Sequence, residues 1–486
     1  MQEDRITVGG DLGPVPGPGE YDIAIVGGGP GGYVAAIYGA RQGARVALIE
    51  KDTPGGTCLT RGCIPTKALV RTTEVYKTMQ EAVRYGCRGE NIQVDFARAM
   101  ARKNRVVAGL VKGVQSLLAK HGVTVLAGEG RLVDRQTIQV KTVEAETLIR
   151  AKHIIVATGS ESMRLPIDGA LGEDIIDSTQ ALELEELPRS MVIIGGGVIG
   201  MEFAFIFARL GVKVTVIEYL DQILALIDED LSQEVFRSAR TAGIKIYTGA
   251  KATSIMEGED GEAIVAFEHA KTGEALPMVS GEKVLMAVGR RPFLRGLGVT
   301  EIGLELEANS RGIKVDHTMQ TSIENVYAIG DVTGKLMLAH VASHQGLVAI
   351  DNILGRKCVM DYRAVPNAIF TDPEIAAVGM SEKEAKTLSK AVRVGRFPFA
   401  GNGKALTLGM SRGFVKLITE PDTGVIIGGS IVGPGATDLI GEVTLAVQHR
   451  LTAEQVARTI HAHPTLPEAI FEAAWAAESG ALHLAD

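Results

Sequence analysis

Two cysteines five residues apart, Cys58 and Cys63, stand in the stretch GGTCLTRGCIPTK, residues 55–67. A sulfur pair can cycle between dithiol and disulfide, a two-electron exchange that runs by thiolate attack. On a regular α-helix an offset of five rises about 7.5 Å, beyond the roughly 4.4–6.8 Å that separates bridged Cα atoms. A bridge therefore needs an irregular turn, and Gly62 and Pro65 make one available. A thiol at the start of a helix has a depressed pKa and reacts near neutrality. Near the other end of the chain, HAHPTLPEAI (461–470) carries His463 and Glu468. An imidazole, with an ordinary pKa of about 6.5, can remove and return a thiol proton. A carboxylate on its second nitrogen fixes the tautomer and steadies the imidazolium. By residue type alone a lone histidine such as His463 near a helix start is more often structural, and His461 reads as packing or support.

The cysteines admit other readings. A structural disulfide does not suit a chain of four cysteines in 486 residues with no secretory signature. A zinc site needs closer spacing and two further ligands, for which Cys87 and Cys358 are poor candidates, so no metal is expected. Two unrelated buried thiols is the plain alternative. A redox-active pair lying against a bound cofactor is the remaining reading, with Cys87 and Cys358 packing as small apolar groups.

Such a pair needs a scaffold, and the strongest organisational signal is a repeat. YDIAIVGGGPGGYVAAIYGARQGARVALIE (21–50) returns as RSMVIIGGGVIGMEFAFIFARLGVKVTVIE (189–218). Each copy has an apolar run, a glycine turn, a helix-like stretch and a second apolar run closing on glutamate, as a βαβ unit with buried parallel strands would. Gly27, Gly29 and Gly32 fill the turn in the first copy, and Gly195, Gly197 and Gly200 in the second, at matching offsets from Glu50 and Glu218. The glycines allow a tight turn, close approach of backbone to a pyrophosphate and helix–strand contact, while the helix N-terminus supplies N–H groups. The two acids are placed to accept from ribose hydroxyls. Glu218 would repel a 2′-phosphate by up to about 4 kcal/mol at about 4 Å, which favours NAD over NADP.

HIIVATGS (153–160) and KVLMAVGRRP (283–292) read as further strands ending in glycine, and NVYAIGDVT (325–333) as a third. From about Cys358 onward shorter, more alternating strands precede helices, which reads as a separate α+β domain. The formal charge of −8 and aromatic content of 5% disfavour nucleic acid and anionic membranes as partners. No apolar run reaches the length of a membrane span. Residues 1–20, rich in Gly and Pro, lack a basic start and an apolar core, so a flexible arm and the cytoplasm are expected.

GGTCLTRGCIPTK, the two dinucleotide turns, ATGS, AIGD and HAHPTLPE follow one another over nearly the whole chain. In that order they resemble the pyridine nucleotide–disulfide oxidoreductases, and within these the dihydrolipoamide dehydrogenase branch. The resemblance implies an α/β fold of two Rossmann-like dinucleotide-binding domains plus a C-terminal α+β dimerisation domain. The expected blocks are 1–20 as an arm, 21–160 for FAD, 161–288 for NAD, 289–358 as a central domain completing the FAD site, and 359–486 as the interface. It implies that Cys58 is the interchange thiol, that Cys63 faces the flavin, and that Lys67 sits near the ring and pairs with Glu202. FAD contacts are implied for Gly56, Thr57, Gly130, Ala157, Thr158, Gly159, Ser160, Asp331, Met337, Leu338, Ala339 and His340. Val198, Glu202, Gly289 and Arg290 fall on the NAD side. His463 and Glu468 would reach the other subunit of a homodimer.

The implied activity is oxidation of protein-bound dihydrolipoamide, with electrons passing through Cys58–Cys63 and FAD to NAD. The implied partners are the lipoyl domains of an acyltransferase or an H-protein, in a 2-oxo acid dehydrogenase or glycine cleavage complex. The alternative is another NAD(P)H-dependent disulfide reductase. A glutathione reductase would want Arg in place of Glu218, and a mercuric reductase a C-terminal cysteine pair that GALHLAD does not contain. One departure stands out: Val341 and Gln345 occupy positions where the family more usually carries a lysine and an acid, which bears on the flavin-edge contacts.

Overall fold

The run YDIAIV is buried at every position but one, as a strand covered on both faces must be, and forms β1 (Tyr21–Val26). In the computed structural model, which describes residues 21–258, 261–308 and 311–484, β1 leads through α1 (Pro30–Arg41) to the fully buried β2 (Val46–Glu50). The proposed arm, 1–20, lies outside the described residues. α1 begins with proline in its first turn and turns Gly31, Gly32, Ala35, Ala36 and Gly39 inward, small residues that bring the helix close to its neighbours.

With β3 (Thr124–Ala127), β4 (Glu129–Leu132), β5 (Thr137–Lys141) and β6 (Glu146–Val156), the sheet order is β3-β2-β1-β6-β5-β4. β2 and β6 flank β1 and run parallel to it. β1 therefore lies at the reversal of strand order, where the crevice beyond the carboxyl ends takes ligands in such sheets. The eleven-residue β6 does double duty. Its first residues pair antiparallel with β5, and from Ala151 it pairs with β1. Val326–Ala328 adds a seventh strand, parallel to β6.

Compactness divides the described residues into two units: 21–56 with 111–160 and 292–360, and 57–110 with 161–291 and 361–484. This differs from the five contiguous blocks read from the sequence. The segment from 292 to 360 falls in the first unit because its strand Val326–Ala328 completes the first sheet.

The second unit repeats the plan. Ser190–Ile194 takes the central place between Lys213–Ile217 and Lys283–Met286 in a five-stranded parallel sheet. The helix Val198–Arg209 follows the glycine turn and is buried from Gly200 to Phe207. The C-terminal region is a five-stranded antiparallel sheet, one side of which shares a core with the helices Ala436–Gln448, Ala453–Ala457 and Glu468–Glu478. From the same sheet Ile369, Ile375, Phe414 and Val432 join the core of the nucleotide fold, around Phe203 and Phe207.

A buried cation fastens these two parts of the unit together. The Lys416 side chain, 2% exposed, gives its ammonium to Asp228 at 2.8 Å, Asp230 at 3.0 Å and Glu382 at 3.4 Å. Burial pushes the Asp228 carboxyl up, but Lys416 and the amides of Lys383 and Glu382 outweigh it and leave it below the ordinary value. Lys416→Met should cost about 3–5 kcal/mol, because it strands a buried carboxylate. A thermal melt checks this, and an unchanged midpoint would show the network to be dispensable. Because Asp228 titrates lower folded than unfolded, its contribution is complete above the ordinary carboxylate range and lost as pH falls through the folded value.

Candidate active site

Both glycine turns take the same shape. A Cβ on Gly32 would lie 1.8 Å from the Gly27 carbonyl oxygen, and one on Gly200 would lie 1.9 Å from that of Gly195, so neither position admits a side chain. Gly29 and Gly197 cap the two helices, neither of which has an acid in its first turn. Each helix end thus keeps the partial positive charge of its N–H groups uncancelled, which suits a pyrophosphate.

The two acids do more than their spacing suggested. Glu50 accepts the Gly28 amide at 2.6 Å and the Asp52 amide at 2.8 Å. Glu218 accepts Gly196 at 2.5 Å and Leu220 at 2.7 Å. Each carboxylate braces the turn it serves and keeps about two of its four lone-pair directions for a ligand.

In the first unit a cleft opens beside Gly27, Glu50, Lys51, Gly130, Thr158 and Phe293. Gly130 is bare because a Cβ there would come within 2.9 Å of Val26. Ala157 hydrogen-bonds back to Val26, Thr158 donates to the Phe293 carbonyl at 2.8 Å, and Gly159 accepts the Phe293 amide at 2.9 Å. The Ser160 hydroxyl donates to Asp331 at 2.5 Å, so these two residues, 171 positions apart, form one rim. Met337 and Leu338 lead into the helix Ala339–Ile353, with Ala339 and His340 in its first turn. The two departures both point inward. Val341 is core, and Gln345 accepts the Gly330 amide at 2.6 Å, steadying the backbone beside Asp331. These residues fit an elongated dinucleotide such as FAD.

The cysteines lie on either side of a break. α2 (Gly56–Arg61) stops, Gly62 turns, and α3 (Cys63–Gln80) begins, so the irregularity a bridge requires is present. Gly62 is enforced by crowding, since a Cβ would sit 2.9 Å from the Thr57 carbonyl oxygen. Pro65 lies within the first turn of α3, where its missing N–H is not needed. Cys58 and Cys63 are unbridged thiols joined by a hydrogen bond. The bond from Cys58 is the main influence lowering the Cys63 thiol to about 7; burial opposes it, and Lys67 and the helix-end amide assist. Cys58 moves the other way, raised by the same hydrogen bond and by burial. Of the two, Cys63 is therefore the thiol that ionises first.

One turn along α3, Lys67 reaches Glu202 at 2.8 and 3.0 Å. Glu202 is buried on the helix Val198–Arg209 and also accepts the Phe370 amide at 3.0 Å. Of the other residues expected beside the second glycine turn, Val198 opens that helix, the Gly289 carbonyl accepts the Met163 amide at 3.0 Å, and Arg290 reaches Ser162 at 3.4 Å.

His463 Nδ1 lies 2.8 Å from Glu468 Oε1, leaving Nε2 outward on a side chain 78% exposed. Burial pushes Glu468 up, but the Thr465 amide at 2.7 Å and His463 prevail and hold it below the ordinary range. His461 turns inward instead, between Glu442 at 2.9 Å and the Thr459 carbonyl, against Phe471. Among the described residues no hydrogen bond or ion pair joins His463 to Cys58 or Cys63 of its own chain.

The sequence matches the pyridine nucleotide-disulphide oxidoreductases over residues 21–346, and the dimerisation domain of that family over 365–474. This chain belongs to the pyridine nucleotide-disulphide oxidoreductases. It is 43% identical to the dihydrolipoyl dehydrogenase of Chlamydia pneumoniae, over 96% of this chain and 98% of that one. With a dihydrolipoyl dehydrogenase of Bacillus subtilis the identity is 42%, over 96% and 99%. Among solved structures, LpdA from Mycobacterium tuberculosis superposes with a TM-score of 0.86 at 32% identity, covering 93% of this chain and 98% of that one. RclA from Escherichia coli, an HOCl-induced flavoprotein disulfide reductase, was solved as a Cu(II) complex. It gives 0.84 at 29% identity, covering 94% and 99%.

As an oxidoreductase of this family the chain uses FAD and NAD, and it carries the family's dimerisation domain. Its structure groups the predicted residues by unit. Gly27, Gly29, Gly32, Glu50, Gly56, Gly130, Ala157–Ser160 (157–160), Asp331 and 337–340 fall in the first. Thr57, Cys58, Cys63, Lys67, the second turn, Glu202, Glu218, Gly289, Arg290, His463 and Glu468 fall in the second. Sequence reading missed Phe293 and Phe370, whose roles come from backbone groups and ring faces that no spacing announces.

Proposed function

We propose that this chain oxidises protein-bound dihydrolipoyl groups, with Cys58 as the attacked sulfur, Cys63 as the thiol toward the flavin and His463 as proton carrier. The reading rests on one observation: a thiol hydrogen-bonded to a second cysteine sits at the first position of an eighteen-residue helix and is lowered to about 7. A thiolate formed there near neutrality is both a good leaving group and a good electron donor.

In the working cycle a substrate thiolate attacks Cys58 of the oxidised pair, and Cys63 departs as thiolate, its charge supported by the helix end and Lys67. His463 accepts the proton given up by the substrate thiol, with Glu468 holding the ring. The second substrate sulfur then attacks the mixed disulfide, so the substrate leaves as a cyclic disulfide and both cysteines are reduced. Bound FAD and NAD supply the outlet for that electron pair. Gly27, Gly29, Gly32, Glu50, Gly130, the 157–160 turn, Asp331 and 337–340 hold FAD. Gly195, Gly197, Val198, Gly200, Glu218, Gly289 and Arg290 hold NAD.

The enzyme works as a homodimer in which His463 and Glu468 of one protomer serve the cysteines of its partner. It serves lipoyl domains of an acyltransferase or an H-protein, in the cytoplasm, a compartment that suits its acidic, cysteine-poor composition. The test is an NADH-dependent lipoamide reduction assay on the purified flavoprotein, run beside NADPH. Turnover with NADH and a preference of at least about tenfold over NADPH is expected. A yellow protein inert toward lipoamide, or one that prefers NADPH, would overturn the assignment.

A further inference from the structure

We propose that Phe370 is a positioning residue for Cys63, holding both members of the Lys67–Glu202 pair, one with its amide and the other with its ring. This rests on the role given to Cys63 above. Glu202 Oε1 accepts the Phe370 amide at 3.0 Å and shares the Lys67 ammonium, 3.0 Å away, with Oε2 at 2.8 Å. The same ammonium lies 4.6 Å from the centre of the Phe370 ring, over its face. An aromatic face attracts a cation through its quadrupole, and more strongly where water is excluded.

Phe370 is itself held from both sides. Two residues on, Asp372 takes Lys77 of α3 at 2.6 Å and also Arg209 of the helix Val198–Arg209. Between them the Thr371 hydroxyl closes on the Pro373 carbonyl at 2.8 Å. The Phe370 ring packs against the core that contains Leu69 and Phe203. The segment 370–372 thus contacts the helix of Cys63 and the helix of Glu202 at two levels, one at the Lys67–Glu202 pair and one at the far ends.

The groups that face Cys63 are Lys67 on its own helix, Glu202 across from it and the Cys58 thiol before the break. Lys67 favours the thiolate and Glu202 opposes it, so the net field at sulfur depends on where the ammonium rests between them. The Lys67 side chain is 30% exposed, on a stem with four rotatable carbons. Without the ring, the ammonium keeps among the described residues only its hydrogen bonds to Glu202, and it can swing toward water. The phenyl face and Glu202 together fix where the ammonium rests, and so the field it exerts at Cys63.

The test is the pH dependence of iodoacetamide alkylation at Cys63, followed by peptide mapping of the holoprotein reduced anaerobically with dithiothreitol. Wild type should titrate near neutrality. Phe370→Leu and Phe370→Met keep the amide and the apolar volume but lose the π face. Each should leave flavin content unchanged and cut the alkylation rate of Cys63 at pH 7 by about threefold to tenfold, with the midpoint moved up. Phe370→Tyr should restore the wild-type curve. Coincident curves for wild type and the folded Leu or Met variant would overturn the proposal while leaving the role of Cys63 standing. A wild-type Cys63 that titrates like a free thiol would overturn both.

Discussion

Cys58→Ser is expected to abolish dihydrolipoamide oxidation, by at least about four orders of magnitude, while the protein keeps its flavin. Cys63→Ser should do the same, and the double variant should be no worse than either, because the two sulfurs act as one unit. The reason lies in the break at Gly62, which puts Cys63 at the head of α3 and returns Cys58 to within hydrogen-bond reach. Serine can neither form the bridge nor leave as a stabilised anion. Two readouts separate this from general damage. Transfer from NADH to ferricyanide bypasses the sulfurs and should persist in both variants. In Cys58→Ser the remaining Cys63 loses the hydrogen bond that does most to lower it, so its alkylation should move to higher pH. Retention of even a hundredth of wild-type dithiol oxidation in either single variant would remove the pair from the mechanism.

What could be read in advance follows from locality. The two βαβ repeats were legible because glycine turn, apolar strands and closing acid fall within one short stretch, where each requirement leaves a mark on residue type. Gly200, for instance, is dictated by Gly195, five positions away. The Cys58–Gly62–Cys63 break was legible for the same reason. Strand β6 was not: the sequence suggests a strand from His153, but the element begins at Glu146. Its first half is largely exposed and polar, held by antiparallel pairing with β5 rather than by an apolar run.

Long-range contacts were the least visible. Nothing local announces that Gln345 will take the Gly330 amide, or that Lys416 will reach Asp228 from 188 positions away. The segment FTDP carries no helical or strand period either, yet its Phe370 amide meets Glu202 and its Asp372 meets Lys77. Glu50 and Glu218 fall between these cases. Their spacing marked them as ligand acids, while their second task, bracing Gly28 and Gly196, depends on a turn geometry that only the folded chain supplies.

His463→Ala should lower dihydrolipoamide oxidation by about 10²- to 10⁴-fold, the usual contribution of a positioned acid–base group. Flavin content and ferricyanide reduction should stay near wild type, since the hydrogen bond described for the ring goes to Glu468 and to no glycine turn of its own unit. Glu468→Gln should fall by less, about tenfold to a hundredfold. It keeps an oxygen for the Thr465 amide, so the loop is preserved and only the negative charge beside Nδ1 is lost. The exposure of His463 sharpens the test. If His463 is the proton carrier, an imidazole left 78% open in its own chain, with no bond among the described residues to Cys58 or Cys63, has to work on sulfurs brought by something else. If that is a second protomer, mixing His463→Ala with Cys58→Ser subunits creates mixed dimers in which one site has both an intact cysteine pair and an intact histidine. Two inactive proteins should then recover up to about a quarter of wild-type activity after dissociation and reassociation. If each protomer is self-sufficient, the mixture stays dead, because every site keeps one lesion.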